Sequence, residues 1–363
     1  MHPERLLLGP GPSNPYPEAM EAMTRPVLGH LDPDLLGVCS EIADRLRLVF
    51  GTRNRLTLPV SGTGSAGMEA CLVSLVEPGD VAIIGVNGYF GERLCEVAKR
   101  AGATIKRVEA PWGSALDPEA VLAAQRRTPE ARLAAVVHAE TSTGVRNDVA
   151  PLKALQETDT LFLLDTVTSL GGIPVEVDAW GVDASYSATQ KCLGGPSGLS
   201  PVTLSERAVA RMAGRASPPA SFYLDLGLLD AYLGDPHRYH HTISAPLLYA
   251  LHAGLGRVLA EGLEAVWERH ARVGEQLQEV LPGIGYELIA EKNHRLPQLT
   301  AARLPSGIDD AAARKALREE FGIEVGGGLG PFAGQAWRIG LMGHAARERS
   351  VVTLLGALSV LGG

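Results

Sequence analysis

Runs of aliphatic residues with no polar alternation recur through the first two thirds of the chain, and a stretch of helical periodicity follows several of them. Val81-Ala82-Ile83-Ile84-Gly85-Val86 is one such run. Further strand candidates cover residues 104–108, 133–138, 161–164 and 184–188, with helical patterns at 66–75, 91–101 and 118–125. A strand with one wet face alternates apolar and polar residues, whereas an uninterrupted apolar run is dry on both faces. Strands of that kind alternating with helices predict an α/β fold, a mostly parallel sheet covered by helices on both sides.

Beyond about residue 262 the rhythm changes. An amphipathic helix at 263–281 leads to strands at 286–290 and 299–304, a helix at 309–321, short strands at 323–325 and 337–341, and a final apolar helix. This reads as a smaller C-terminal α+β domain of ordinary size. The Pro/Gly segment from Gly9 to Pro17 fits neither a helix nor an inner strand and predicts an extended arm. The expected division is an N-terminal arm at 1–20, a large domain at 21–262 and a small domain at 263–363.

The formal net charge of −8 leaves no basic stripe for a phosphate backbone, so nucleic acid is not an expected partner. The leucine run near the N-terminus is too short for a signal-peptide core or a membrane span. Cys39, Cys71, Cys95 and Cys192 have no CxxC spacing and read as small buried thiols in a reducing cytoplasm.

Three places carry candidate chemistry. Lys191 follows an expected strand and is flanked by Thr189-Gln190 and by Cys192-Leu193-Gly194-Gly195. Small residues there leave room for a ligand at a strand's carboxyl end, where α/β folds bind them; a purely structural lysine is the plain alternative. Asp165 ends the apolar strand Leu161-Phe162-Leu163-Leu164. A carboxylate so placed needs a positive partner, such as a protonated pyridine nitrogen, although a helix cap or a magnesium ligand would also suit it. Ser61-Gly62-Thr63-Gly64-Ser65 opens a helix, and free N–H groups at a helix N-terminus suit a small phosphate. Neither GxGxxG nor a P-loop is present. Together the three suggest a pyridoxal 5′-phosphate (PLP) site.

Motifs in matching order along nearly the whole chain then carry a resemblance. They are Gly9-Pro10-Gly11-Pro12-Ser13-Asn14, Ser61-Gly62-Thr63-Gly64, Asn87-Gly88-Tyr89-Phe90-Gly91, Glu140-Thr141-Ser142-Thr143-Gly144, Asp165 with Ser169-Leu170-Gly171-Gly172, Ser187-Ala188-Thr189-Gln190-Lys191, Tyr239-His240-His241-Thr242 and Arg338-Ile339-Gly340-Leu341. The chain resembles the class V, fold-type I aminotransferases of the alanine–glyoxylate and serine–glyoxylate group. The resemblance implies that Lys191 holds PLP as a Schiff base and shuttles a proton, and that Asp165 pairs with the pyridine nitrogen. It implies that Thr63, Gly64, Ser65 and Gln190 surround the phosphate, that Phe90 stacks on the ring and that Thr141 lies near the ring hydroxyl. Arg338 would grip the substrate carboxylate, with Gly11 and Thr141 lining the substrate space. Tyr239 and Thr242 would reach the phosphate of a neighbouring subunit in a homodimer.

The implied reaction is transamination between L-alanine or L-serine and glyoxylate or pyruvate. Related class V activities, ureidoglycine–glyoxylate or phosphonate transamination, or a PLP lyase, are the alternatives. Phe90 and Ser65 depart from the tryptophan and histidine expected of the animal enzymes. A metal at His240-His241 is not expected, because adjacent side chains on an extended segment should point to opposite faces.

Overall fold

Burial on both faces is what the aliphatic runs at Val81–Val86, Leu133–Val137 and Leu161–Asp165 find. The computed structural model describes residues 3–361 and centres on a seven-stranded sheet. Its order is Leu56–Ser61, Leu199–Leu204, Ala184–Tyr186, Leu161–Asp165, Leu133–Val137, Val81–Val86, Thr104–Glu109. All strands run parallel except Leu199–Leu204, which is antiparallel to both of its neighbours. Leu133–Val137 and Leu161–Asp165 are buried at every position, so their aliphatic side chains feed the core on both sides. Thr104–Glu109 lies at one edge, and its exposed Lys106 and Arg107 correct the expectation of burial on both faces there.

Helices cover both faces. Pro33–Phe50 is capped by the Asp32 side chain, which accepts from the Asp34 N–H, starts with a proline and stops at Gly51 in the left-handed region. Ala245–Glu261 packs against it. Gly262, at φ +89°, separates that helix from Leu263–Val280.

A second hydrophobic cluster forms around the four-stranded antiparallel sheet that contains Leu299–Arg303 and Ala336–Gly340. Leu8 of the N-terminal segment lies inside this second cluster, and the two-residue strand Leu6–Leu7 pairs in parallel with Ile323–Glu324. The segment therefore starts against the small sheet, where the Gly340 N–H donates to the Leu8 carbonyl (2.8 Å). It then crosses to the large one, where the Ser13 N–H donates to the Gln190 carbonyl (2.9 Å) and the Tyr16 N–H to the Gly194 carbonyl (2.8 Å).

Candidate active site

The carboxyl ends of the parallel strands converge on one region, as expected for an α/β sheet. Strand Leu56–Ser61 turns through Gly62, at φ +132°, into Thr63, the N-cap of helix Gly64–Leu75. The Thr63 side chain makes no cap hydrogen bond, which leaves its hydroxyl and the N–H groups of Gly64 and Ser65 open to an anion. A Cβ at Gly64 would lie 2.9 Å from Val167 Cγ2 and 3.1 Å from the Ala188 Cβ. Only glycine lets this turn sit against the loops that follow Asp165 and precede Lys191. The Gln190 side-chain oxygen is buried there with no partner.

Asp165 ends its strand in register with Tyr186 on the next. Its carboxylate accepts from the Tyr186 hydroxyl (2.7 Å) and the Val167 N–H (2.9 Å). Burial still pushes it up to about 6, against the downward pull of those two bonds. Lys191 is also buried, and its amine donates to the Pro10 carbonyl. Desolvation brings that amine down to about 8, helped by the positive charges of Arg338 and Arg93 and opposed by Asp165. Gly11, at φ +113°, fits against the lysine stem: a Cβ there would sit 2.7 Å from Cε and 2.8 Å from Cδ. The Ser13 hydroxyl donates to the Lys191 carbonyl (3.1 Å) and fastens the arm over the site.

Arg338 comes from the small sheet. Its Nε donates to the Gly327 carbonyl (2.8 Å), and it forms no ion pair among the described residues. Burial lowers it to about 10, with the buried carboxylate of Glu140 acting in the opposite sense. Glu140 has a structural task as well. It accepts from the N–H groups of Phe90 (3.1 Å), Gly91 (3.3 Å) and Ser142 (3.0 Å), anchoring the first turn of helix Tyr89–Arg100 and hence Phe90. The buried Thr141 hydroxyl meets Thr168 Oγ1 at 3.2 Å.

The structure thus brings Gly11, Thr63, Gly64, Ser65, Phe90, Thr141, Asp165, Gln190, Lys191 and Arg338 to one end of the sheet. Tyr239 and Thr242 are exposed instead, on a segment tied to the phosphate-side turn by His241 Nε2 and Ser61 Oγ (2.7 Å). The expected divergence of the two histidine side chains is overturned. His240 and His241 do not diverge but meet Nδ1 to Nδ1 at 2.8 Å, while His240 Nε2 faces the Phe222 carbonyl at 3.0 Å. The chain bends at His241 instead of running on as a strand. Sequence reasoning assigned no role to Tyr186, Glu140 or Arg93. Glu140 opens the Glu140-Thr141-Ser142-Thr143-Gly144 motif, but no local signal connects it with Phe90 fifty residues earlier.

The class-V aminotransferase family model matches residues 19–335. The chain belongs to the class-V aminotransferases. A solved alanine–glyoxylate aminotransferase from Nostoc superposes with a TM-score of 0.97 at 47% identity, covering 99% of this chain and 96% of that one. The (S)-ureidoglycine–glyoxylate transaminase of Bacillus subtilis is 38% identical over 99% of this chain and 91% of its own length. Alanine–glyoxylate aminotransferase from Drosophila melanogaster is 37% identical over 98% and 92%.

PLP is the cofactor of this class-V aminotransferase, and the site fits it. The open helix N-terminus suits a phosphate group. The buried Asp165 carboxylate suits a ring cation, and a desolvated amine suits an aldehyde.

Proposed function

We propose that this class-V aminotransferase transfers the amino group of a small L-amino acid, L-alanine or L-serine, to glyoxylate or pyruvate. The observation that carries the reading is Arg338, a guanidinium without an ion-pair partner among the described residues whose charge acts on the Lys191 amine. Every substrate of such a reaction presents a carboxylate next to the reacting carbon, and a guanidinium binds a carboxylate as a two-pronged fork. Pro10 and Gly11, pressed against Lys191, favour a short side chain. The names of the alanine–glyoxylate relatives point the same way, and that of the Bacillus subtilis relative points to ureidoglycine as the donor.

When bound, PLP supplies the aldehyde that takes the amino group and the electron-withdrawing ring that makes the α-proton acidic. The chain's residues do the rest. Thr63, Gly64, Ser65 and Gln190 would hold the phosphate, Phe90 would cover the ring, and Thr141 would stand by its hydroxyl. Asp165 would hold a negative charge against the ring nitrogen. Lys191 Nζ carries the α-proton, because its lowered basicity leaves a useful fraction neutral near pH 8. Arg338 fixes the carboxylate so that the proton faces Lys191.

The reading includes a homodimer in which Tyr239 and Thr242 complete the neighbour's phosphate site. Its support is an exposed aromatic group, Phe222 at 66%, Tyr239 at 55% and Tyr223 at 47% exposure, on the segments that carry those residues. It also includes a division at Gly262, where the helix breaks and the second hydrophobic cluster follows. A cytoplasmic location is part of it too. Its supports are four buried cysteines without a disulfide and, among the described residues, no helix long and apolar enough to cross a membrane.

The test is the absorption spectrum of the purified protein before and after L-alanine or L-serine is added without an oxo acid. A yellow protein that bleaches supports the reading, and the faster donor identifies the substrate. Bleaching by ureidoglycine alone would transfer the chain to the second activity, which the Bacillus subtilis relative favours. A yellow protein that none of them bleaches would overturn the donor assignment.

A further inference from the structure

A phosphate ester near neutral pH carries close to two negative charges, yet the groups assigned to the phosphate here (Thr63, Gly64, Ser65, Gln190, Tyr239 and Thr242) are all neutral. Lys191 and Arg338 serve the reacting end. We propose that Arg93 is the missing cation, a cofactor-binding residue whose guanidinium faces the PLP phosphate from the helix that carries Phe90. This rests on the PLP reading of the site.

Three observations carry it. Arg93 Nη1 donates to Ser65 Oγ across 3.2 Å, and Ser65 is the second residue of the helix whose N-terminus faces the phosphate. The guanidinium also lies over the Phe90 ring, 4.9 Å from its centroid, and over Tyr89 at 5.1 Å, so it is held between the ring-stacking residue and the phosphate turn. Finally, Arg93 forms no ion pair among the described residues, although carboxylates are near in sequence. Glu92 is engaged by Arg107 (2.6 Å) and Glu96 by Arg100 (2.7 Å). A half-buried arginine kept on aromatic faces and a serine, rather than on the adjacent glutamates, has its charge free for an anion. That charge reaches the cofactor pocket, since it acts on both Asp165 and Lys191. The two positions at which the chain departs from the animal enzymes, Ser65 and Phe90, are both contacts of this side chain.

The test compares two probes on the apoprotein, PLP and pyridoxal, which lacks the phosphate. Arg93→Gln is expected to weaken PLP binding about tenfold to a hundredfold and to leave pyridoxal binding unchanged. Inorganic phosphate should compete with PLP less well in the variant, and Arg93→Lys should restore part of the affinity. Ser65→Ala, which removes only the tether, should weaken PLP in the same direction by a smaller factor. Unchanged PLP affinity in Arg93→Gln, or an equal loss for PLP and pyridoxal, would overturn the proposal, the second result marking a structural role. Wild-type apoprotein that binds neither probe would instead sink the PLP reading itself.

Discussion

The Tyr186 hydroxyl donates to the Asp165 carboxylate at 2.7 Å, from a residue directly in register on the neighbouring parallel strand. Both groups are buried, so the bond acts in a medium where it counts. Burial pushes Asp165 up to about 6, and Tyr186 holds that rise in check. Tyr186→Phe is therefore expected to move the acid limb of the kcat profile to higher pH and to lower kcat about tenfold, with KM little changed. Steady-state rates across pH 5 to 9 check it; an acid limb that stays in place would contradict it.

The same carboxylate costs the apoprotein stability. Its folded pKa of about 6 lies above the ordinary 3.8, so the native state binds more protons than the unfolded state between those values. Stability must then fall as pH rises through that window, by about 3 kcal/mol once pH 7 is passed. Asp165→Asn should raise the apoprotein's unfolding temperature at pH 7.5, lose much of that advantage by pH 5, and abolish transamination. Thermal unfolding of both apoproteins at the two pH values decides it.

Gly11→Ala should damage the site without touching any polar group. The added Cβ would press on the Lys191 stem, and φ +113° strains any residue with a side chain. A fall in kcat of about tenfold to a hundredfold is expected, with reduced PLP occupancy seen in the absorbance of the purified protein.

How far the sequence could be read depended on whether a signal was local. Leu133–Val137 and Leu161–Asp165 are continuous aliphatic runs and were expected within a residue or so. Helix Pro33–Phe50 was missed although it carries an Asp32-Pro33 start and a Gly51 stop, because no strand precedes it to set the rhythm. The antiparallel strand Leu199–Leu204 was also missed: Pro201 in its middle argues against an inner strand, and only tertiary pairing fixes its direction. In the site, motif residues were legible as types. Their partners were not, because Glu140 meets Phe90 and Arg93 meets Ser65 only through contacts between separate elements.

Arg338 and Lys191 are coupled, and this gives a prediction with two readouts. Lowered to about 8, the Lys191 amine should capture PLP into the apoprotein at a rate that rises with pH through about 8 and then levels off. Arg338 is one cause of the lowering, so Arg338→Ala should move that midpoint upward. The same change removes the carboxylate fork, so KM for both the amino acid and the oxo acid should rise about tenfold to a hundredfold. Arg338→Lys separates the two effects. It keeps the charge, so the capture midpoint should stay near the wild-type value, but an ammonium cannot form the two-pronged contact, and KM should stay high. Stopped-flow absorbance for capture and initial rates for KM make the comparison. If Arg338→Lys restores KM fully, Arg338 acts through charge alone and the fork is not needed.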